Sequence, residues 1–486
     1  MSLAALGLGG RLADDLSVSG LALDSRNVQV GEAFFALPGT QAHGAQFAEG
    51  AVARGAAVIV TDRDGAALLG QDPSAVVVED PAAALAQAAR AWFGAGPAVM
   101  AAVTGTNGKT SVASFTRQIW QALGLSAISL GTSGVEGAVT APLAHTTPDA
   151  ITLHRALAEA AAEGVSHGVM EASSHGIEQR RLDGVALTAA AFTNLSRDHL
   201  DYHPTVEAYA AAKLRLFDTL LPKDGVAVVH LDDPLGPRVR DAAQARGIRT
   251  IGVGGHVESA LARTATTYSM AGQTLNFVWE GQVYLAHLDL LGHFQGDNAL
   301  VAAGLAIACG AEAEAVFATL PGLEAVRGRM ERVAARPNGA QIFVDYSHTP
   351  ASLETALRAL RPHVSGRLSV VFGAGGDRDP GKRPMMGEAA ATYADCAIVT
   401  DDNPRSEDPA AIRRAVLAGC PEAEEIGDRE EAIYAAIRDL APGDALLIAG
   451  KGHESGQIVG SDVRPFDDAE VARAAVAAID GAVSGP

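Results

Sequence analysis

Cysteine is nearly absent. The 486-residue chain has three, Cys309, Cys396 and Cys420, with neither a disulfide framework nor metal-ligand spacing. They read as buried or incidental thiols in a reducing compartment. Aromatic residues are also few, at 5%, while hydrophobic residues as a whole reach 48%. Several cores can therefore form, built mainly from Ala, Val and Leu. Positive charge is short: 37 basic against 57 acidic residues gives a net charge of −20. That argues against nucleic acid or an anionic membrane as a general partner. A small anionic substrate needs only a local basic pocket and stays open. No apolar run reaches the roughly 18–20 residues of a membrane span. The opening MSLAALGLGGRLADDL lacks a basic n-region and is broken by glycines and Arg11, so it reads as neither signal peptide nor anchor. A soluble, cytoplasmic protein is expected.

What is present, above all, is a phosphate loop. Residues 103–111 read Val-Thr-Gly-Thr-Asn-Gly-Lys-Thr-Ser, between the apolar run Ala98–Val103 and a helical pattern, Ser111 to Leu123. Gly105 and Gly108 let backbone N–H groups turn inward around an anion. The helix N-terminus adds its positive dipole end. Lys109 can reach the β- and γ-phosphates, and the Thr110 hydroxyl can hold Mg²⁺. Val103 stands where the general pattern has Gly. A nucleoside triphosphate is the implied ligand.

The length suggests roughly three domains, at about 150 residues each. Residues 1–97 hold short strand-like runs (33–37, 57–60, 75–78) among Ala-rich helical stretches, and Gly94-Ala-Gly-Pro97 reads as a linker. Residues 98–325 add strand candidates at 168–170, 189–192 and 226–229. Strands alternating with helices imply a largely parallel sheet covered on both faces. A third unit, 326–486, carries strands at 341–345, 368–372, 396–400 and 444–449, each ending in a loop of Gly, Asp, Asn or His. Ligands of such Rossmann-type sheets sit at the carboxyl ends of the strands. The fold class is α/β.

Four polar loops follow strands. Glu171-Ala-Ser-Ser-His-Gly176 and Thr193-Asn-Leu-Ser-Arg-Asp-His-Leu-Asp-Tyr-His203 put a carboxylate, Glu171, and an imidazole, His199, in the domain with the phosphate loop. There they can hold Mg²⁺ on the γ-phosphate side. Residues 372–383 and 401–408, with Gly450-Lys-Gly-His-Glu454 beyond, place Arg, Asn and Glu on glycine- or proline-fixed backbone. Arg gives bidentate carboxylate recognition and Glu454 suits an ammonium, so these loops can take a zwitterionic amino acid.

The set GTNGKT, EASSHG, TNLSRDHLDYH, VRGRMERV, DYSHTP, FGAGGDRDPGKRP, DDNPR and GKGHE, in this order along nearly the whole chain, resembles the bacterial Mur ligases. The resemblance implies three domains: a UDP-substrate domain, a central phosphate-loop ATPase and a Rossmann-like C-terminal domain. It implies ATP- and Mg²⁺-dependent amide formation through an acyl phosphate, with UDP-N-acetylmuramoyl-L-alanyl-D-glutamate as acceptor. Lys109 and Thr110 match the phosphate loop, and Glu171 and His199 the second magnesium site. Lys213 matches a lysine carbamylated by CO₂ into a magnesium ligand; spacing alone would make it a solvated helical lysine. Lys109, Lys213 and His199 are the implied catalytic set. Asn298, Arg329, Asp345, Tyr346 and His348 match nucleotide contacts, together with loop residues 105–111. Thr146, Thr147, Ser173, Gln179 and Arg181 match contacts to the muramoyl dipeptide. Ser25, Arg26 and His43 match the uridine end, although Asp is common at position 43. Arg378, Asp402, Asn403, Pro404, Arg405, Gly450 and Glu454 match the amino-acid site.

The DNPR loop resembles that of members using meso-diaminopimelate, whose extra carboxylate suits Arg405. Monomeric action on small-molecule substrates is expected, without nucleic acid or membrane insertion. Two alternatives remain: another ligase of the superfamily, such as a folylpolyglutamate synthase, and a nucleotide-switched binding protein that synthesises nothing.

Overall fold

The computed structural model describes residues 1–8, 16–39, 42–70, 75–196 and 202–481. Each apolar run singled out in the sequence is a strand, shifted by at most a residue or two at its ends. The chain divides into two compact units, Met1–Ala262 with Leu300–Thr319, and Arg263–Ala299 with Leu320–Pro486.

The first unit contains two sheets. Strands β1 (Gly20–Ala22), β2 (Glu32–Phe35), β3 (Val58–Thr61) and β4 (Ala75–Val77) pair in sequence order, all parallel. The second sheet uses β5 (Val99–Thr104), β6 (Ala127–Gly131), β7 (Gly134–Gly137), β8 (His167–Glu171), β9 (Ala189–Phe192), β10 (Val226–His230) and β11 (Arg249–Gly254). Their order in this unit is β11-β10-β9-β5-β8-β6-β7, parallel except for the last pair. Strands β5, β6 and β9 are buried almost throughout, as a sheet covered on both faces requires. The order places β5 between β8 and β9, so the loops that leave their carboxyl ends share one edge.

Helix caps fix how the covering helices start. Asp80 accepts the Ala83 N–H at 2.9 Å and Pro81 opens the helix Pro81–Phe93. Asp149 accepts the N–H groups of Ile151 and Thr152, each at 3.0 Å, at the head of Ala150–Ala162. Leu85, Ala86, Ala89 and Ile151 of these helices share one core with Phe35 and Val60 of the small sheet. Each large apolar side chain so enclosed contributes about 1.5–3 kcal/mol.

The second unit contains the strands β15 (Glu331–Ala335), β16 (Gln341–Asp345), β17 (Leu368–Phe372), β18 (Cys396–Val399), β19 (Glu424–Glu425) and β20 (Ala445–Ala449). They run in the order β15-β16-β20-β17-β18-β19, parallel except for β15 on β16. The loops after β16, β20, β17 and β18 therefore gather at one edge.

The sequence reading of 98–325 as a largely parallel sheet missed three further strands, the last two of them antiparallel. The strands are β12 (Leu261–Ser269), β13 (Gly272–Trp279) and β14 (Gln282–Leu288); β13 pairs with β14 from Gln273↔Leu288 to Trp279↔Gln282. Glu280 and Gly281 join them with φ of +49° and +82°. A two-residue turn with both φ positive matches the twist of the strands, and the alternation in TLNFVW is its sequence signal. A smaller hairpin, β21 (Gly456–Val459) with β22 (Asp462–Pro465), was also not foreseen. No helix among the described residues is long and apolar enough to cross a membrane.

Candidate active site

Strand β5 ends at Thr104, and the helix Lys109–Ala122 starts with no side-chain cap. Its first N–H groups are thus left for an anion, which the positive helix end favours. Val103, where the loop pattern has Gly, is a fully buried ladder residue opposite Glu171. Gly105 has φ +154°, and a Cβ there would lie 1.9 Å from the Thr193 Oγ1, so no side chain fits. The loop is latched from β9: the Thr193 hydroxyl donates to the Asn107 carbonyl at 2.7 Å, and Asn194 Oδ1 accepts the Asn107 N–H at 3.0 Å. Thr106 Oγ1 lies 3.2 Å from the Tyr209 hydroxyl, and Ser111 is buried in the first turn.

Two lysines converge on this loop. Lys109 Nζ donates to the carbonyls of Gly105 at 2.9 Å and Thr106 at 2.8 Å. Lys213 Nζ donates to the Gly105 carbonyl at 2.8 Å and lies 4.3 Å from the Tyr209 ring centre. Only 1% of Lys213 is exposed. The solvated helical lysine that spacing alone would favour is thereby overturned. Burying an amine costs several kcal/mol after relaxation, so this position is built around it.

Glu171, at the end of β8, is also buried. Its Oε2 accepts the Thr110 hydroxyl at 3.1 Å and its Oε1 the Thr132 N–H at 2.8 Å. A buried carboxylate and a hydroxyl are the oxygen donors that a hard divalent cation takes. A Cβ on Gly131 would fall 2.0 Å from Glu171 Oε1, so the carboxylate sits in a cradle only glycine leaves open. His199 lies outside the described residues.

The residues matched to the muramoyl dipeptide form one network behind Glu171. The Thr147 hydroxyl donates to the Glu171 carbonyl at 2.8 Å and accepts the Ser173 N–H at 3.0 Å. Thr146 Oγ1 lies 3.0 Å from Thr132 Oγ1. Arg181 donates to the Thr147 carbonyl at 2.6 Å and, from Nη2, to Gln179 Oε1 at 2.7 Å. Burial lowers the Arg181 guanidinium from its ordinary value.

At the small sheet, Ser25 lies in the turn where the exposed Arg26 pairs with Asp24, Nη2 to Oδ2 at 2.6 Å. His43 accepts the Ala45 N–H on Nδ1 at 3.1 Å, so Nε2 carries the proton and donates to Asp62 at 3.1 Å. It caps the turn Gly44–Phe47, with both ring nitrogens engaged.

In the second unit, Asp345 ends β16 and accepts the Met330 N–H at 2.7 Å and the Ser347 hydroxyl. Burial pushes its carboxyl above the usual range, against the lowering effect of Ser347. Arg329 lies over the Tyr346 ring at 4.7 Å, and His348 Nδ1 is 2.8 Å from the Tyr346 carbonyl. Burial first, then the Glu454 carboxylate, raises the Tyr346 phenol. Asn298 donates to Gln295 Oε1 at 3.0 Å.

The amino-acid loops meet at the same sheet edge. Asn403 donates to Glu454 Oε2 at 2.9 Å. Arg405, with φ +52°, has its N–H on the Ile458 carbonyl at 3.1 Å, its carbonyl on the Gly460 N–H at 2.7 Å, and its Nη1 on the Gly376 carbonyl at 2.8 Å. That left-handed backbone after Pro404 is held by the β21–β22 hairpin. Gly450 has φ +121° and stands against the buried Asp402; a Cβ would meet Asp402 Oδ2 at 2.5 Å. Arg378 donates weakly to the Asp377 carbonyl at 3.4 Å.

Sequence reasoning missed Thr132, Tyr209 and Lys451. The first two carry no motif signal, since only folding brings them to Glu171 and Lys213. Lys451 was visible within GKGHE but received no role.

Comparison with known proteins agrees with this geometry. Residues 17–93 match the model for the Mur ligase family, catalytic domain, residues 103–306 the Mur ligase middle domain, and residues 328–452 the Mur ligase, glutamate ligase domain. The UDP-N-acetylmuramoyl-L-alanyl-D-glutamate--2,6-diaminopimelate ligase of Bradyrhizobium diazoefficiens is 55% identical over 466 residues, covering 95% of each chain. The ligase of the same name from Caulobacter vibrioides is 51% identical over 478 residues, 96% of this chain and 97% of its own. A solved structure of an enzyme of that name superposes with a TM-score of 0.74 at 34% identity, covering 98% of this chain and 99% of the other. The ADP-bound MurF ligase of Thermotoga maritima shares the fold, with a TM-score of 0.61 at 17% identity over 97% of this chain and all of its own. With its three-domain α/β architecture, this chain belongs to the Mur ligase family.

Proposed function

We propose that this protein is an ATP-dependent ligase that joins meso-diaminopimelate to UDP-N-acetylmuramoyl-L-alanyl-D-glutamate, in the cytoplasm and as a monomer. The names of its relatives support the substrates. The observation that carries the chemistry is the convergence of Lys109, Lys213, Thr110 and Glu171 at the head of the phosphate-loop helix. The domains divide at 97/98 and 325/326, where the linker composition changes.

A carboxylate is a poor electrophile, and phosphorylation supplies a leaving group. The D-glutamyl carboxylate oxygen attacks the γ-phosphorus and ADP leaves. The amine of diaminopimelate then attacks the acyl carbon, loses a proton, and inorganic phosphate departs. Lys109 offsets charge on the transferring phosphoryl group, and the uncapped N–H groups at the head of the helix Lys109–Ala122 hold it in line. Thr110, Glu171, His199 and Lys213, the last as its carbamate, would hold Mg²⁺, which neutralises phosphate charge when bound. Carbamylation replaces the positive charge of Lys213 with an oxygen ligand that Mg²⁺ prefers. Asn298, Arg329, Asp345, Tyr346 and His348 serve the nucleotide. Thr146, Thr147, Ser173, Gln179 and Arg181 orient the dipeptide, and Ser25, Arg26 and His43 serve the uridine end. Arg378, Asp402, Asn403, Pro404, Arg405, Gly450 and Glu454 take the amino acid.

The test is phosphate release by the purified chain with ATP, Mg²⁺ and the UDP-dipeptide, with and without meso-diaminopimelate. Release that depends on diaminopimelate is expected. Equal or faster release with L-lysine overturns the substrate assignment, and no substrate-dependent release overturns the ligase reading.

A further inference from the structure

Lys451 follows β20 inside the amino-acid loops, and its side chain is fully buried. Its Nζ donates to Asn403 Oδ1 at 3.0 Å and lies 3.5 Å from Glu454 Oε2. Asn403 Oδ1 also accepts the Ile458 N–H at 2.9 Å, which uses both lone pairs of that oxygen. On the other side of the amide, Nδ2 donates to Glu454 Oε2 at 2.9 Å.

A terminal amide can turn either way, and geometry alone rarely decides it. Here its neighbours decide. Turning Asn403 over would set its NH₂ group against the Lys451 amine and the Ile458 N–H, donor against donor. It would also set its carbonyl oxygen against the Glu454 carboxylate. An aliphatic side chain would fill the Lys451 position at lower desolvation cost, so hydrogen bonding, not filling, is what the amine adds there.

We propose that Lys451 is a positioning residue: it fixes Asn403 as a hydrogen-bond donor and keeps Glu454 Oε2 engaged, so that the site offers a donor for a carboxylate beside an acceptor for an ammonium. The inference rests on the amino-acid ligase reading. It assigns Lys451 an action through Asn403 and Glu454 rather than on the substrate itself.

Two variants of the full-length chain test it. Lys451→Met keeps most of the unbranched apolar stem and removes the donor; Lys451→Gln keeps a donor, on a chain one bond shorter, and removes the charge. In Lys451→Met, KM for meso-diaminopimelate should rise about tenfold or more, the equivalent of one lost orienting hydrogen bond. KM for ATP and for the UDP-dipeptide, and kcat, should stay near their original values. Lys451→Gln should restore most of the diaminopimelate KM. An unchanged KM in Lys451→Met overturns the proposal. So do parallel losses for all three substrates, or equal losses in both variants, because a packing or charge role would give them. If Lys451→Met does not fold, a folded Lys451→Gln with the same large KM rise overturns it, and a near-normal KM supports it. Turnover of the unsubstituted chain with diaminopimelate tests the ligase reading, and the ratio of variant to original tests Lys451.

Discussion

Lys109 and Lys213 donate to one acceptor, the carbonyl oxygen of Gly105, at 2.9 and 2.8 Å. They lie 104 residues apart in the sequence and come from different helices, Lys109–Ala122 and Val206–Arg215. Lys109 is half-buried at the head of its helix; Lys213 is enclosed beside the loop. The pairing gives a lysine of an Ala-rich helix a buried place at the phosphate loop.

Lys213→Ala should lower kcat by about 10²-fold or more, roughly 2.7 kcal/mol of barrier, while the UDP-dipeptide still binds with near-normal affinity by calorimetry. Formate or high bicarbonate should partly restore turnover by placing a carboxylate in the vacated space. Near-normal turnover of the variant at ordinary Mg²⁺ would return Lys213 to a structural role.

Gly131→Ala puts a methyl group 2.0 Å from Glu171 Oε1 and must displace that carboxylate. The overpacking should cost about 1–3 kcal/mol of stability. The half-saturating Mg²⁺ concentration should rise as well. A variant with unchanged Mg²⁺ dependence would separate Glu171 from the metal.

Arg405→Lys retains the charge and loses the planar fork. If Arg405 grips the extra carboxylate of diaminopimelate, kcat/KM for that substrate should fall by an amount equivalent to about 1.5–3 kcal/mol, one charge-assisted hydrogen bond, with little change for ATP. Competition between diaminopimelate and L-lysine reads the loss of preference directly.

Arg429 and Asp468 form a fully buried pair, with two contacts of 2.7 Å. Asp468→Asn leaves the guanidinium without its counter-charge and should destabilise the protein by about 3–5 kcal/mol. Thermal unfolding of the variant measures this. An unchanged midpoint would mean that solvent or another acid reaches Arg429.

Arg26 holds the Asp24 carboxyl down at about 2, first through its side-chain hydrogen bond. Because the folded value is depressed, the pair's contribution is complete above the ordinary carboxylate value of 3.8 and is lost as pH falls toward 2. Both groups are substantially exposed, so the effect on stability is small. In Arg26→Gln the Asp24 carboxyl should rise toward its ordinary value but stay below it, because the residue-26 N–H still donates to Asp24 Oδ1; carboxyl-detected NMR would show this.

The sequence by itself determined the alternation of strand and helix, the phosphate loop and the polar loops after each strand. These are local: a buried parallel strand is a short apolar run, and a loop that wraps an anion needs glycine, lysine and threonine at fixed spacing. It left undetermined what depends on packing between distant segments. Lys213 reads as solvated by spacing and is buried because its helix brings it to Gly105. Thr132 and Tyr209 have no motif, yet they hold Glu171 and flank Lys213. The β12–β14 ribbon escaped because its half-exposed alternating strands lack the continuous apolar signal of the central sheet. Only the fold shows His43 capping a turn against Asp62. Spacing names the residue types a site needs; burial and hydrogen-bond partners, which arise from contacts across the chain, decide what each of them does.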